Sequence, residues 1–168
     1  MPPMNEPLAG IFRYNQWANG QLIECCRKLS DDRLDAPLPG VSDSIRTLLL
    51  HIVGGQQTFV LRTKGRQHEG EWNRSSTWPG FDALLGVANS SGDELIAIAA
   101  ALAADEDVDL PFAGKVYRYP KGFFLLHALE HGVEHRTDIK VALAQLGIQS
   151  PDLDAWNYAA AAGFGAEA

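Results

Sequence analysis

The sequence predicts an all-α fold, a four-helix bundle with a short C-terminal helix. Three observations lead there. Four long segments place their apolar residues at helical spacing. Only Val116 to Tyr119 alternates as a strand would, and only briefly. The 168 residues are the size of one ordinary domain, taken here as a single unit over 1–168. Such a chain buries about 70% of its unfolded surface and needs no disulfide to fold.

The first helix is expected from about Glu6 to Leu29. Leu8, Ile11, Ala18, Leu22, Cys25 and Leu29 form its stripe, with Asn15 in one slot. Prolines and Gly40 in "SDDRLDAPLPG" then break the pattern. Ser42 or Ser44 caps the second helix, whose stripe holds Ile45, Leu48, Ile52, Gly55 and Phe59 and which stops near Gly65. His51 lies beside that stripe. "EGEWNRSSTWPG" reads as a loop. The third helix runs from about Phe81 to Ala103, and the segment after it is irregular or a small hairpin around Gly114. Pro120 suits the first turn of a fourth helix that continues to about Leu146 and stops at Gly147. "SPDLDAWNYAAAAG" reads as a short fifth helix with Ser150 as its cap. The long connection after the third helix leaves the up-and-down order of the bundle open.

Composition excludes several functions. A net charge of −7 argues against a nucleic-acid binder, which needs a basic face to neutralise phosphates. The short cluster of Arg62, Lys64 and Arg66, with His68, reads as a charged helix end. No apolar run reaches the roughly 18 residues of a membrane span, so no membrane partner is expected. The N-terminus lacks the pattern of a signal peptide. Cys25 and Cys26 are adjacent, which suits packing better than a disulfide or a metal site. The expected location is a reducing cytoplasm.

Chemistry concentrates in "HALEHGVEHRTDI". The chain has five histidines, and His127, His131 and His135 recur there at intervals of four. At about 100° per residue they fall within roughly 40° of one line, with Phe124, Asp138 and Ala142. That line should face the core. A buried imidazole without partners costs about 1–3 kcal/mol. A divalent metal accounts for several at once, because it takes one nitrogen from each of two histidines a turn apart and another from a facing helix. On the second helix the only histidine is His51. His127 and His135 stand about 12 Å apart along the axis, so one ion takes either His127 with His131 or His131 with His135. Spacing does not choose. "HALEH" and "HGVEH" also match the inverzincin H-x-x-E-H pattern. Glu130 and Glu134 point off the histidine line, however, and few acidic residues follow to complete such a site.

Three motifs together resemble the DinB/YfiT-like family: "YNQWAN" (Tyr14 to Asn19), "LLLHIVGGQQTFVLRTKG" (Leu48 to Gly65) and "HALEHGVEHRTDIKVALAQLGIQSPDLD" (His127 to Asp154). The resemblance spans nearly the whole chain in order. It implies an up-down-down-up bundle, a homodimer, and a metal held by one histidine of the second helix and two of the fourth. Carried onto this chain, the ligands are His51, His131 and His135, with His127 as a neighbour. Where the family has Gly-Gln after its His-Arg step, Thr137 and Asp138 stand here, so Asp138 is a candidate to orient a ligand imidazole. Glu134 and Asn15 are further candidates beside the site. Three imidazoles without thiolate or carboxylate suit zinc or nickel and leave positions open. Characterised relatives imply a metal-dependent transferase or related enzyme that activates a small thiol. The alternative is a non-catalytic, stress-associated binding protein. An open polar cavity over the metal favours the enzyme, and a plugged one the binder.

Leu126, Leu129 and Val133 make the back of the fourth helix apolar. Either the fifth segment, with Trp156 and Tyr158, or a second subunit should cover it. Asn15 is expected either in a satisfied polar seam or lining the metal cavity. Trp17 reads as packing, and Trp72 and Trp78 as possible pocket walls.

Overall fold

The computed structural model describes residues 7–67, 70–103 and 106–164. The expected start of the first helix at Glu6 and the basic residue His68 lie outside them. Four long helices dominate: α1 (Pro7–Cys26), α3 (Ile45–Thr63), α4 (Phe81–Ala101) and α5 (Lys121–Gln145). Two short ones accompany them, α2 (Asp31–Leu34) and α6 (Ala155–Ala161). α1 packs on α4 and α3 on α5, while α3 also meets α4 and α1 meets α5. No described helix is long and apolar enough to cross a membrane.

Local chemistry explains most boundaries. Ser44 accepts the Thr47 amide and caps α3. Gly65 and Gly147 follow the last turns of α3 and α5 with positive φ, as helix stops do. Other boundaries differ from expectation. The first helix ends at Cys26 rather than Leu29, because its last amides bond three residues back (Leu29 N to Cys26 O, 3.0 Å) and tighten the turn. Its buried face includes Phe12, Asn15, Asn19 and Cys26, while Ile11 is 41% exposed. The stripe is turned because α1 must serve two neighbours, α4 and α5. The break after it contains the single-turn α2, whose Leu34 is buried. The C-terminal helix starts after Asp154, not at Ser150. Asp154 accepts the Asn157 amide at 2.7 Å, while the preceding segment stays extended to bury Leu153 and offer its carbonyl to the Tyr14 hydroxyl at 2.8 Å.

The region after α4 is a hairpin, so the fold is mostly helical rather than all-α. β1 (Asp107–Phe112) pairs antiparallel with β2 (Lys115–Pro120) in the register Asp107↔Pro120 to Phe112↔Lys115. Val116, Tyr117 and Tyr119 favour a pleated strand, and Arg118 meets Asp109 directly across the ladder at 2.8 Å. Leu110 is the hairpin residue driven into the core.

That core is divided. One apolar cluster includes Leu22, Val53, Ala88 and Ile139, and a second includes Phe12, Phe59, Leu95 and Ala128. Between them, every long helix contributes buried polar residues: Asn15 and Asn19, Gln56, Ser91, and His135 with Arg136. Arg136 Nη1 donates to Oδ1 of both Asn15 and Asn19, each at 2.7 Å. Asn19 Nδ2 donates to Gln56 Oε1 at 3.0 Å. Gln56 Nε2 donates to the Ala88 carbonyl at 2.8 Å and Ser91 Oγ at 2.7 Å. The layer therefore joins all four helices through hydrogen bonds whose donors and acceptors would be costly to leave unpaired.

Replacing one member should show that cost. Asn19→Ala removes an acceptor from a buried guanidinium and a donor from Gln56, and should destabilise the protein by ~2–3 kcal/mol. Urea denaturation measures this, and a loss under about 0.5 kcal/mol would contradict it.

Candidate metal centre

α5 presents its histidines toward α3 because Arg136, the next residue, is turned toward α1. His131 and His135 then meet His51. The three ring pairs are equidistant, each with centroids 4.6 Å apart. One ring nitrogen from each lies within 4.8 Å of the others, a group that could hold a metal ion. His51 and His131 share an Nε2 to Nε2 hydrogen bond of 3.0 Å, in which one neutral ring donates to the other.

The approach depends on the Gly54-Gly55 pair. A Cβ on Gly55 would stand 2.5 Å from His131 Cε1, and one on Gly54 would stand 1.6 Å from the Trp72 carbonyl oxygen. The bare backbone of α3 lets an imidazole settle on one side and the 70–73 loop on the other.

The electrostatics favour the neutral ring at His51 and His131. Burial first, then the charges of His51, His135, His127 and Arg74, push His131 from an ordinary 6.5 down to about 3. His51 is lowered by burial and then by His135, against an opposing pull from the exposed Glu134. Neutral imidazole is the form that ligates a metal. His135 Nδ1 and Asp138 Oδ2 are 3.1 Å apart. That bond fixes the ring and leaves Nε2 as the donor for an ion. The donor set and its spacing therefore both fit a divalent metal.

The remaining candidates take other places. His127 is exposed, its ring 4.4 Å from that of Phe59 and 6.4 Å from that of His131. Asn15 lies in the polar seam, bonded to Gln56 and Arg136, rather than in the cavity beside the triad. Glu130 and Glu134 are exposed, and no carboxylate joins the ligand group among the described residues, so the inverzincin pattern finds no support. Glu167, one of the few acidic residues that follow His135, lies outside the described residues. Cys26 is fully buried, its thiol pushed up to about 12, which suits packing.

Above the triad opens a cavity of about 330 Å³, lined by His51, His131, Thr58, Phe59, Trp72 and Asn73 among others. Trp72 is thus a wall, as its type suggested. Trp78 packs instead between Arg46 and Phe81, and Trp17 on Tyr14 and Tyr158. Thr58, Asn73 and Arg62, which also lines this cavity, were missed in the sequence. The signal for Thr58 was its place one turn beyond Gly54. Asn73, in an aperiodic loop, had none.

Among proteins with known families, the chain matches the family model described as the DinB family over residues 4–167. No curated protein matches it.

Metal analysis after zinc or nickel loading should show His51→Ala and His135→Ala stripped of the ion and His127→Ala retaining most of it. Gly55→Ala should fold yet lose metal, because the new methyl displaces the His131 ring. Full occupancy in His135→Ala would overturn the ligand set. The depressed histidines also set a pH dependence for the chelated protein. Their folded affinities for protons lie below the unfolded ones, so the unfolded chain gains protons first. Stability should be full above pH 6.5 and fall as the pH drops toward 3. Urea midpoints at graded pH test this, and His131→Gln should flatten the decline.

Proposed function

The chain belongs to the DinB family, and on that premise we propose that it is a metal-dependent enzyme of the transferase type, its ion held by His51, His131 and His135. Zinc or nickel suits three imidazoles. The chemistry such an ion supplies is Lewis acidity toward a small thiol, whose proton becomes easier to lose. The observation that carries the reading is the cavity over the triad. A site built only to store or sense an ion has no need of about 330 Å³ beside it.

The chain's own groups fit catalytic work. Asp138 holds His135 in one orientation and tautomer. Phe59 and Trp72 give the cavity apolar walls that limit water. Thr58 is fixed at both ends, donating to the Gly54 carbonyl at 2.9 Å and accepting the Gly70 amide at 2.7 Å, so it also holds the loop over the site.

The four long helices are taken as the family's up-down-down-up bundle. A homodimer is proposed to cover the back of α5. Leu126 is 64% exposed and Val133 48%, and α6 is engaged elsewhere, with Tyr158 packed on Tyr14 and Trp17 of α1 and Trp156 84% exposed. A cytoplasmic location is proposed from the two free thiols, Cys25 and Cys26.

The test is a panel of small thiols and electrophiles, incubated with metal-loaded protein and followed by mass spectrometry of the products. Conjugates should form only when metal, thiol and protein are all present, and His131→Ala should reduce their rate at least about 100-fold. A fully loaded protein that yields no conjugate with any thiol would point to a binding protein instead.

A further inference from the structure

Arg62, in the last turn of α3, lines two cavities. One is the cavity over the triad. The other, of about 390 Å³, lies beneath the hairpin between Leu110, Phe112, Tyr117 and Tyr119. Arg62 is half-buried, and its side chain makes no ion pair or hydrogen bond among the described residues. Other arginines are engaged: Arg27 with Glu24 and Asp82, Arg46 with Asp31 and Asp35, Arg74 with Asp43, and Arg118 with Asp109. The chain carries 21 acidic residues against 14 basic ones, yet no carboxylate lines either cavity among the described residues.

We propose that the two cavities form one cleft for a small organic carboxylate with an aromatic or apolar portion, and that Arg62 is its specificity-determining residue. A partly desolvated guanidinium without a protein counterion favours an anion, and its planar fork matches a carboxylate. Among the described residues Arg62 is the one guanidinium or ammonium in either lining, so the charge balances a monoanionic carboxylate better than a phosphate dianion. Phe112 and Tyr117 are 55% and 41% exposed, with rings 6.5 Å apart, and offer the apolar portion a surface to cover. Bound this way, a ligand spans from the aromatic hairpin to the histidines, with its anion at the junction. This names the substrate class of the proposed enzyme and rests on that reading for its reactive end only.

The test uses chelated protein, so that no ion can hold the carboxylate, and two probes: 2-naphthoate and its neutral analogue 2-naphthamide. Calorimetric titration should show the carboxylate binding roughly tenfold more tightly. Arg62→Gln should abolish that preference and Arg62→Lys should keep part of it, both with unchanged circular dichroism and unchanged metal uptake on reloading. Equal affinity for the two probes in the unsubstituted protein, no binding of either, or a preference that survives in Arg62→Gln would overturn the proposal. Failure of metal uptake would contradict the triad and leave this binding result standing.

Discussion

A buried guanidinium sets the geometry of the molecule. Arg136 is 3% exposed, has no carboxylate in contact among the described residues, and relies on the side-chain carbonyls of Asn15 and Asn19. Burial lowers its proton affinity only to about 10, so it stays charged at neutral pH. A buried charge held by neutral dipoles tolerates little displacement, because each lost hydrogen bond leaves a desolvated polar group. α5 can therefore take one rotation about its axis. With Arg136 fixed toward α1, His131 and His135 must face α3 and His51. The polar layer between the two apolar clusters thus also orients the histidines.

The same economy of space shapes the approach to the histidines. Gly54 and Gly55 thin α3 on two sides, so that the Trp72 loop and the His131 ring both lie against its backbone. His51 and His131 are held neutral, by burial first and then by the neighbouring imidazoles, while Asp138 braces His135. Arg62 lines both the cavity beside the triad and the one among the apolar and aromatic residues of the hairpin.

Much of this was legible in the sequence. The i, i+4 histidines, the lone His51 and the apolar stripes carry their periodicity openly, and Asp138 is one turn from the imidazole it contacts. Family resemblance chose the pair that spacing left open, and the ring distances agree with that choice. Asn15 was visible as a polar slot in an apolar stripe. Gln56 and Ser91 had the same signature in α3 and α4, lying between Val53 and Phe59 and between Ala88 and Leu95, but a single amide or hydroxyl is ordinary on a helix. Only tertiary packing reveals that they meet. The hairpin was faint because Val116, Tyr117 and Tyr119 weigh little as a strand signal until a partner strand supplies hydrogen bonds. Asp154 displaced Ser150 as a helix cap because burying Leu153 holds the intervening residues extended. Arg62 looked like a helix-end cation, and that it is; its position at the junction of two cavities depends on the hairpin, which its own segment does not encode.

The most direct test of convergence is X-ray absorption at the zinc edge of the loaded protein. The structure leads us to expect a first shell of nitrogen or oxygen with the outer-shell multiple scattering of three imidazoles, at bond lengths of about 2.0–2.1 Å. A sulfur scatterer near 2.3 Å, or scattering from fewer than three imidazoles, would contradict it.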